Sequence, residues 1–565
     1  MLVGCRAIHS LHYIGRNFMA GTTSPALPVE QVASDATCAE NFKPRRDARL
    51  RIAWIALALA LLAYCATAAV MVAVASAKLI PNQSENMYPE APAVYNAILE
   101  ARSDRLYTSL SEPPYASQPY GPLYYAMNAA IARLSNLQIE AIAVRGRIVA
   151  FACYCLGALV IFFIVVRLDF PLWMAGLASL MYLGQPDFYQ WNASMRPDTL
   201  CTLLMLLSLL AIIHKGKSGE PGSIASGILI GLAFLVKQSA LAVAISVLVV
   251  LLIRKKYLHA LRFALAAALP VVLAFSFLLL RHEPFLAQFT FMSQGPWSLP
   301  DGLRWIWKWG YDLQVFVPLA IGAVGAAAAL AGDEHSQMVG AFMLANLGLG
   351  IVAITQLGGN ANYFLPALAG CSMLLPFAIR AVRGRLHSIV PVLALTLIFA
   401  TMVSATVDRN RQGFLMNLGH QEQPYAALRP FHILSDRPYF TIQGRDPELL
   451  DPFFLHWLEL AGSWDSSPIT AKLKSGAYDL VILSCMGSRP TVCNYRGVNY
   501  FSASVIDAIN QNYQVFCSSF NARILSPRSR EIPLTPELIS PALFQRCGTG
   551  MRGHPPELVI EPDTR

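Results

Sequence analysis

Long apolar runs alternate with short polar segments over most of the chain. The charge-free runs are residues 52–77, 148–166, 170–186, 199–213, 221–236, 238–253, 263–280, 313–332, 336–379 and 388–407. The run 336–379 is too long for one membrane crossing, which takes roughly 20 residues, and it divides at the polar stretch 357–362. The pattern therefore predicts about eleven transmembrane helices.

The two ends of the chain lack this pattern. Residues 1–51 are polar, rich in Ser, Thr and Ala, and end in a basic cluster, which predicts a disordered cytosolic tail. Beyond residue 407, β-prone runs predict strands at 432–435, 439–442 and 479–483, and apolar spacing predicts helices at 449–460 and 469–473. The sequence thus predicts a mostly α-helical polytopic membrane domain, residues 52–407, followed by a soluble α/β domain, residues 408–565.

Composition agrees with a membrane protein and excludes a nucleic-acid-binding one. The 565 residues are 55% hydrophobic and only 14% charged, whereas about a quarter of the residues of a soluble domain are charged. The net charge is +9, but the basic residues cluster in short loops between apolar runs rather than on one face. None of the eleven cysteines belongs to a CxxC pair; Cys485, Cys493, Cys517 and Cys547 either form disulfides in an oxidising compartment or are four free thiols.

The distribution of Lys and Arg predicts the orientation. With the N-terminus inside, fifteen Lys and Arg residues fall in the inner segments and five in the short outer loops, as the positive-inside rule expects. This topology, in a cell (inner or plasma) membrane, places outside the long first loop (78–147), the Trp-rich loop 281–311 and everything after residue 408. Within the first loop, helical spacing predicts two short interfacial helices at 93–102 and 124–134.

The first outer loop carries the strongest candidate chemistry. Glu85 and Glu90 flank Tyr88, and Tyr120, Tyr124 and Tyr125 follow in a Pro-rich segment. A carboxylate at the membrane edge could remove a proton from an acceptor hydroxyl or hold a divalent cation. The alternative is that both glutamates are ordinary solvated loop carboxylates. No cofactor is fixed by the sequence.

Three further polar sites lie at predicted outer helix ends. Arg196 and Asp198 open an apolar run; Arg196 could bind a phosphate through its bidentate fork, while Asp198 could simply cap the helix. Lys237 interrupts two apolar runs, and either stabilises a leaving phosphate or lies in a plain outer hairpin. Asn362 and Tyr363 could line a sugar or phosphate site or form a turn with an interfacial aromatic. All of these sites fall on the same predicted face.

These motifs, in this order, resemble the C-type membrane glycosyltransferase superfamily, in particular its protein O-mannosyltransferase and aminoarabinose transferase branch. Residues 84–90 (Ser-Glu-Asn-Met-Tyr-Pro-Glu) resemble the family's Asp-Glu-x-x-Tyr-x-Glu motif, with Ser84 in place of the leading Asp. Residues 121–125 resemble its Pro-Pro-Leu-x-Tyr segment, although the usual preceding Glu-Lys has no counterpart near Gln118. Residues 363–366 (Tyr-Phe-Leu-Pro), the Arg-Pro-Asp triplet 196–198 and Lys237 also resemble family positions, and the resemblance spans about residues 50–405.

The resemblance implies a glycosyltransferase that uses a polyprenyl-phosphate-linked sugar donor at the outer face. The acceptor, a glycolipid, polysaccharide or protein, is not specified, and nucleic acid is not expected as a partner. Glu85 or Glu90 would act as base, and Arg196 and Lys237 would offset the charge of the departing phosphate. The further substrate- or phosphate-binding residues would be Asp198, Tyr88, Tyr124, Tyr125, Asn362 and Tyr363. The alternatives are a polytopic transporter or lipid flippase, or a catalytically inactive relative.

Overall fold

The fold was analysed in a computed structural model. It describes residues 43–82, 85–88, 90–185, 189–214, 222–290, 295–310, 313–356, 358–385, 388–417, 428–483, 494–495, 498–518, 523–530 and 532. The chain divides into two compact units, residues 1–55 and 56–565, and the second unit contains all of the contacts discussed below. Most of the predicted N-terminal tail, together with Cys485, Cys493 and Cys547, lies outside the described residues.

The membrane part is helical. In chain order its α-helices are α1 Lys43–Leu79, α2 Glu90–Ser103, α3 Pro122–Leu134, α4 Ile139–Arg167, α5 Leu172–Leu183, α6 Tyr189–Asn192, α7 Asp198–Ile213, α8 Ser223–Phe234, α9 Leu241–Ile253, α10 Tyr257–Leu280, α11 Phe285–Thr290, α12 Leu299–Gly310, α13 Leu313–Leu330, α14 Glu334–Thr355, α15 Leu365–Arg385 and α16 Ile389–Asn417. Two 3₁₀ turns, Gln238–Ala240 and Ala361–Phe364, precede α9 and α15.

Each predicted apolar run contains at least one helix in the described part of the chain. The long run 336–379 is divided as predicted, because α14 ends at Thr355 and α15 begins at Leu365. Among the described residues, six helices are long and apolar enough to cross a membrane, and five shorter apolar helices accompany them. The chain is a multi-pass membrane protein, and the mostly α-helical fold class is confirmed.

The first loop forms two short helices close to the predicted positions, α2 and α3. Gly121 and Pro122 begin α3, and proline suits this first turn because its missing N–H would have had no partner there. Helices α2 and α3 pack against each other, and both bury most of their apolar side chains. They are therefore parts of the folded core rather than isolated surface helices.

The C-terminal region is α/β, as predicted. Its elements are β1 Ile433–Ser435, α17 Pro438–Gln443, α18 Pro452–Leu460, α19 Ser467–Lys474, β2 Leu480–Leu483, β3 Asn494–Tyr495, β4 Val498–Asn499, α20 Ala503–Asn512, β5 Tyr513–Ser518 and β6 Arg523–Pro527. Four strands form one sheet in the order β1-β2-β6-β5, with β1 parallel to β2 and the other neighbours antiparallel. Strands β3 and β4 form a separate antiparallel pair.

One predicted strand was wrong. Residues 439–442 belong to α17, which Pro438 begins after an extended Arg437. All six residues of α17 are buried, so the segment has no polar face from which a period of 2 or 3.6 could be read. A short apolar run of this kind does not distinguish strand from helix.

The α/β region packs directly on the first loop. One hydrophobic cluster joins Ala97 and Ile131 of α2 and α3 to Ile433, Phe440 and Leu480. A second cluster joins Tyr115 of the first loop to side chains of α18, β2 and α20. The backbone of Tyr115 also donates to Glu448 O at 2.6 Å and accepts from Leu450 N at 3.0 Å. The C-terminal region therefore shares its hydrophobic clusters with the loop that carries the acidic motif.

Candidate active site

A cavity of about 390 Å³ lies where the polar segments of the membrane part meet the α/β region. It is lined by side chains from the first loop, from the segment before α7, from the α8–α9 connection, from α14 and the segment after it, and from the C-terminal region. Arg196, Lys237, Asn362, Tyr363 and Tyr88, all predicted as site residues, are among them.

Two buried cations share one carboxylate at this cavity. Lys237 Nζ lies 2.6 Å from Asp198 Oδ1, and Arg196 Nε lies 3.2 Å from Asp198 Oδ2. Asn362 Nδ2 donates to Asp198 Oδ1 at 2.8 Å, so the carboxylate has three partners. All three charged side chains are more than nine-tenths buried. The cluster keeps one net positive charge beside the cavity, because two cations face one anion.

The local backbone explains why these side chains converge. Pro197 precedes α7, and Asp198 is the first residue of that helix, where a carboxylate also complements the helix N-terminus. Lys237 has an extended backbone (φ −153°, ψ 134°) between the end of α8 and the 3₁₀ turn. Asn362 lies in the other 3₁₀ turn, at the start of α15. These residues thus lie at the start of a helix or in an interruption between helices, where a polar side chain can face a cavity instead of lipid.

An aromatic ring lies against each of the two cations. The guanidinium of Arg196 lies 4.7 Å from the centre of the Trp191 ring, and Lys237 Nζ lies 4.2 Å from the centre of the Tyr363 ring. Arg196 Nη2 also donates to the Tyr120 hydroxyl at 2.9 Å. Rings at these distances stabilise cations without neutralising them, so both cations keep their charge for a ligand.

The Pro-rich segment of the first loop is docked on the backbone that precedes Lys237. Gly121 N donates to Val236 O at 3.1 Å, and Leu123 N donates to Leu235 O at 3.0 Å. A Cβ atom at Gly121 would overlap the carbonyl of Leu235, so only glycine allows this approach. This contact fixes the relative positions of Tyr120 and Lys237.

Tyr124 and Tyr125 lie behind the cavity wall rather than on it. Both side chains are buried and are not among the described residues that line the cavity. The Tyr124 hydroxyl donates to Met195 O at 2.9 Å, and the Tyr125 hydroxyl accepts from Tyr120 N at 3.2 Å. Tyr124 thus holds the backbone next to Arg196, and Tyr125 holds the backbone of Tyr120.

Glu90 is held in a buried ion pair away from the cavity lining. Arg147 Nε donates to its Oε1 at 2.9 Å and Arg147 Nη2 to its Oε2 at 2.7 Å, and both side chains are 1% exposed. The same carboxylate accepts from Met195 N at 2.8 Å and from Asn86 N at 2.9 Å. Four hydrogen bonds occupy its two oxygens, which indicates a structural role.

Glu85 has a different environment. Its side chain is half-buried, its Oε2 accepts from Ala91 N at 3.4 Å, and it does not line the cavity in this conformation. Desolvation raises the pKa of Glu85 to about 7, an effect that Arg437 opposes and Glu90 reinforces. A carboxylate with a pKa near the working pH is suited to general-base catalysis.

The structure adds residues that the sequence analysis did not single out. Phe453 and Tyr500 of the C-terminal region line the cavity. Asp451, completely buried beneath them, accepts hydrogen bonds from the hydroxyls of Tyr88 and Ser117. Burial raises the pKa of Asp451 to about 6, although these two hydrogen bonds oppose the shift. An Asp-Pro pair before a helix is typical of an ordinary helix start, so the sequence held no signal for this role.

The described residues contain no group of three or more His, Cys, Asp and Glu side chains placed to hold a metal ion.

Comparison with known proteins places this site in a known fold. The family model described as dolichyl-phosphate-mannose-protein mannosyltransferase matches residues 118–280. Two crystal structures of ArnT from Cupriavidus metallidurans, one bound to undecaprenyl phosphate and one in the apo state, are similar to this chain. Each has a TM-score of 0.50 and 14% sequence identity, and the match covers 84% of this chain and 98% of ArnT. No curated protein sequence matches the chain. The resemblance predicted from the sequence is confirmed, and the fold is that of the C-type membrane glycosyltransferases.

Proposed function

We propose that this protein, which has a C-type glycosyltransferase fold, moves a sugar from a polyprenyl-phosphate donor to an acceptor hydroxyl. One observation carries the proposal: Arg196 and Lys237, two buried cations that share Asp198 as their one ion-pair partner among the described residues, face one cavity. Burying two cations is costly unless negatively charged groups compensate them. A phosphate ligand would complete the neutralisation that Asp198 leaves unfinished.

The cations would act most strongly as the donor is cleaved. A sugar linked to a polyprenyl phosphate is a phosphodiester with one negative charge, and the departing phosphate gains further negative charge as the sugar–oxygen bond breaks. Arg196 and Lys237 are already in place, buried beside the cavity, to stabilise that charge. Asn362, Tyr363 and the Tyr120 hydroxyl would orient the phosphate beside them.

Glu85 is the proposed base. It would take the proton of the acceptor hydroxyl while the acceptor oxygen bonds to the anomeric carbon, and the electron pair of the broken bond would leave with the phosphate. Its raised pKa favours this role, whereas Glu90 has no oxygen left to accept a proton from an acceptor. Glu85 would have to turn toward the cavity when the substrates bind.

The donor class and the location follow from the same reasoning. Apolar side chains of α14 form part of the cavity wall, which suits a lipid-linked donor whose tail lies in the bilayer. The undecaprenyl phosphate bound to ArnT supports this class. We place the site on the outer face, with residues 52–407 in the membrane, residues 408–565 outside and the N-terminus in the cytoplasm, because the Lys and Arg distribution predicts that topology.

Binding of radiolabelled undecaprenyl phosphate to the purified protein in lipid nanodiscs tests the proposal. Arg196→Gln and Lys237→Gln should each weaken binding about 10- to 100-fold, because a hydrogen bond to a charged group contributes about 1.5–3 kcal/mol. Lys308→Gln, which removes an exposed cation of α12, is the matched control and should bind as the wild type does. Equal affinity in all four proteins would overturn the assignment of the phosphate to these cations.

A further inference from the structure

Part of the cavity wall comes from the C-terminal α/β region. Phe453 and Phe454, at the start of α18, and Tyr500, which follows β4, line the same cavity as Arg196 and Lys237. The α/β region is therefore a component of the candidate site and not only an appendage of the membrane part.

Asp451 connects this wall to the first loop. It lies immediately before α18, is completely buried, and its two carboxylate oxygens accept hydrogen bonds from two first-loop hydroxyls, those of Tyr88 and Ser117. Burying a carboxylate is costly, and hydrogen bonds to its oxygens offset part of that cost. The hydrogen bonds from Tyr88 and Ser117 therefore tie the α/β region to the first loop.

Tyr88 is the contact that reaches the cavity. Its ring lies edge-on to Tyr500, with centroids 5.4 Å apart, and edge-on to Phe453 at 6.5 Å. Phe453 and Tyr500 lie 5.3 Å apart, so the three rings form one aromatic surface. The hydrogen bond to Asp451 determines where the Tyr88 ring lies in that surface, since a phenol without it could rotate or tilt.

This aromatic surface suits a sugar. The C–H face of a sugar ring is apolar and packs on aromatic rings, while its hydroxyls remain free for polar contacts. Tyr88, Phe453 and Tyr500 line the same cavity as Arg196, so a sugar attached to a phosphate at Arg196 would extend toward the wall that these three rings form.

We propose that Asp451 is a positioning residue that acts through Tyr88: it holds the Tyr88 ring in an aromatic wall that orients the sugar to be transferred. The inference rests on the proposed function. It assigns to the α/β region a part in sugar recognition, distinct from the phosphate binding that Arg196 and Lys237 provide.

The test compares Asp451→Asn, Tyr88→Phe and the double variant in full-length protein in nanodiscs. Consumption of undecaprenyl-phosphate sugars gives kcat and KM, and undecaprenyl phosphate without a sugar gives the affinity for the lipid phosphate alone. Each single variant should lower kcat/KM about 10- to 100-fold, as expected for a lost hydrogen bond to a charged group. The double variant should be no worse than either single one, because both remove the same interaction.

Three readouts separate positioning from a structural role. Affinity for undecaprenyl phosphate should stay within about twofold of the wild type in Asp451→Asn and Tyr88→Phe, because the cations are untouched. Ser117→Ala, which removes the other bond to Asp451, should retain most of the activity. Glu459→Gln, a carboxylate of the same helix that bonds to Ser466, should turn over as the wild type does.

The outcomes distinguish the two proposals. Wild-type turnover in Tyr88→Phe and Asp451→Asn, or equal losses in Ser117→Ala, would overturn the positioning role alone. Parallel losses of lipid-phosphate affinity and turnover would also overturn it, because they would indicate general damage to the fold. If Asp451→Asn does not fold, Tyr88→Phe decides the matter, since it removes one oxygen and keeps the ring. Absence of donor consumption by the wild type would overturn the proposed function, and this inference with it.

Discussion

Replacing Glu90 by glutamine should destabilise the protein rather than remove its catalytic base. The substitution deletes the negative partner of Arg147, whose guanidinium is 1% exposed and otherwise donates to carbonyls such as Asn82 O at 2.5 Å. Arg147 remains charged, so the variant leaves this buried cation without the carboxylate that accepts its two side-chain hydrogen bonds in the wild type. Because Arg147 joins the end of α1 to α2 and α4, the loss should loosen the base of the first loop.

The size of the effect can be estimated from the geometry. Two unit charges about 4 Å apart attract each other by about 4 kcal/mol at an effective dielectric constant of 20. Breaking a buried ion pair by removing one partner typically costs about 3–5 kcal/mol, because the remaining charge stays desolvated. We therefore expect Glu90→Gln to lose about 3–5 kcal/mol of stability.

Unfolding in detergent, followed by tryptophan fluorescence during heating or SDS titration, measures the loss. Glu85→Gln is the matched control, since Glu85 is half-buried and its Oε2 accepts its hydrogen bond from the backbone N of Ala91 rather than from a cation; its midpoint should not fall. The double variant Glu90→Gln/Arg147→Met should be more stable than Glu90→Gln alone, because it also removes the buried cation that has lost the Glu90 carboxylate. A Glu90→Gln protein with the wild-type midpoint and no turnover would refute this reasoning and indicate that Glu90 is the base.

Further predictions concern pH and close packing. The kcat/KM for the donor should rise about tenfold per pH unit up to about 7 and then level off, because Glu85 accepts a proton only when ionised, and Glu85→Gln should lack this rise. Stability should fall as pH rises from 4.5 to about 7, since the folded state holds the Glu85 proton more tightly than the unfolded state does, and Glu85→Gln should remove that fall in an unfolding series across pH. Gly121→Ala should lower both the unfolding midpoint and the affinity for undecaprenyl phosphate, because its Cβ meets the Leu235 carbonyl, whereas Gly176→Ala, with open space around it, should do neither.

The membrane helices could be predicted from the sequence because each depends mainly on the hydrophobicity of its own residues. A run of about 20 apolar residues is helical in a bilayer whatever its neighbours are, so α14 and α15 were separated correctly by the polar stretch between them. Lys237 and Arg196 were singled out from the sequence for a related reason. A charged side chain beside an apolar run costs free energy in a membrane, so its presence there indicates a specific role.

The partners of those residues could not be predicted, because they are distant in sequence. Arg147 lies 57 residues from Glu90, and it stands at the start of an apolar run, where an arginine is expected in any case. Asp451 lies 363 residues from Tyr88. No local pattern connects such pairs, so the difference between Glu85 and Glu90 emerges only from the folded structure.

The central claim is that the cations at this cavity serve cleavage of a lipid-linked sugar. The most direct measurement is consumption of a panel of radiolabelled undecaprenyl-phosphate sugars by the purified wild-type protein in nanodiscs, with Lys237→Gln and Lys308→Gln beside it. The account predicts release of undecaprenyl phosphate from at least one donor by the wild type and by Lys308→Gln, and a loss of about tenfold or more in Lys237→Gln. Failure of the wild type to consume any donor while it still binds undecaprenyl phosphate would contradict the account and favour an inactive relative; loss of lipid binding as well would favour a transporter.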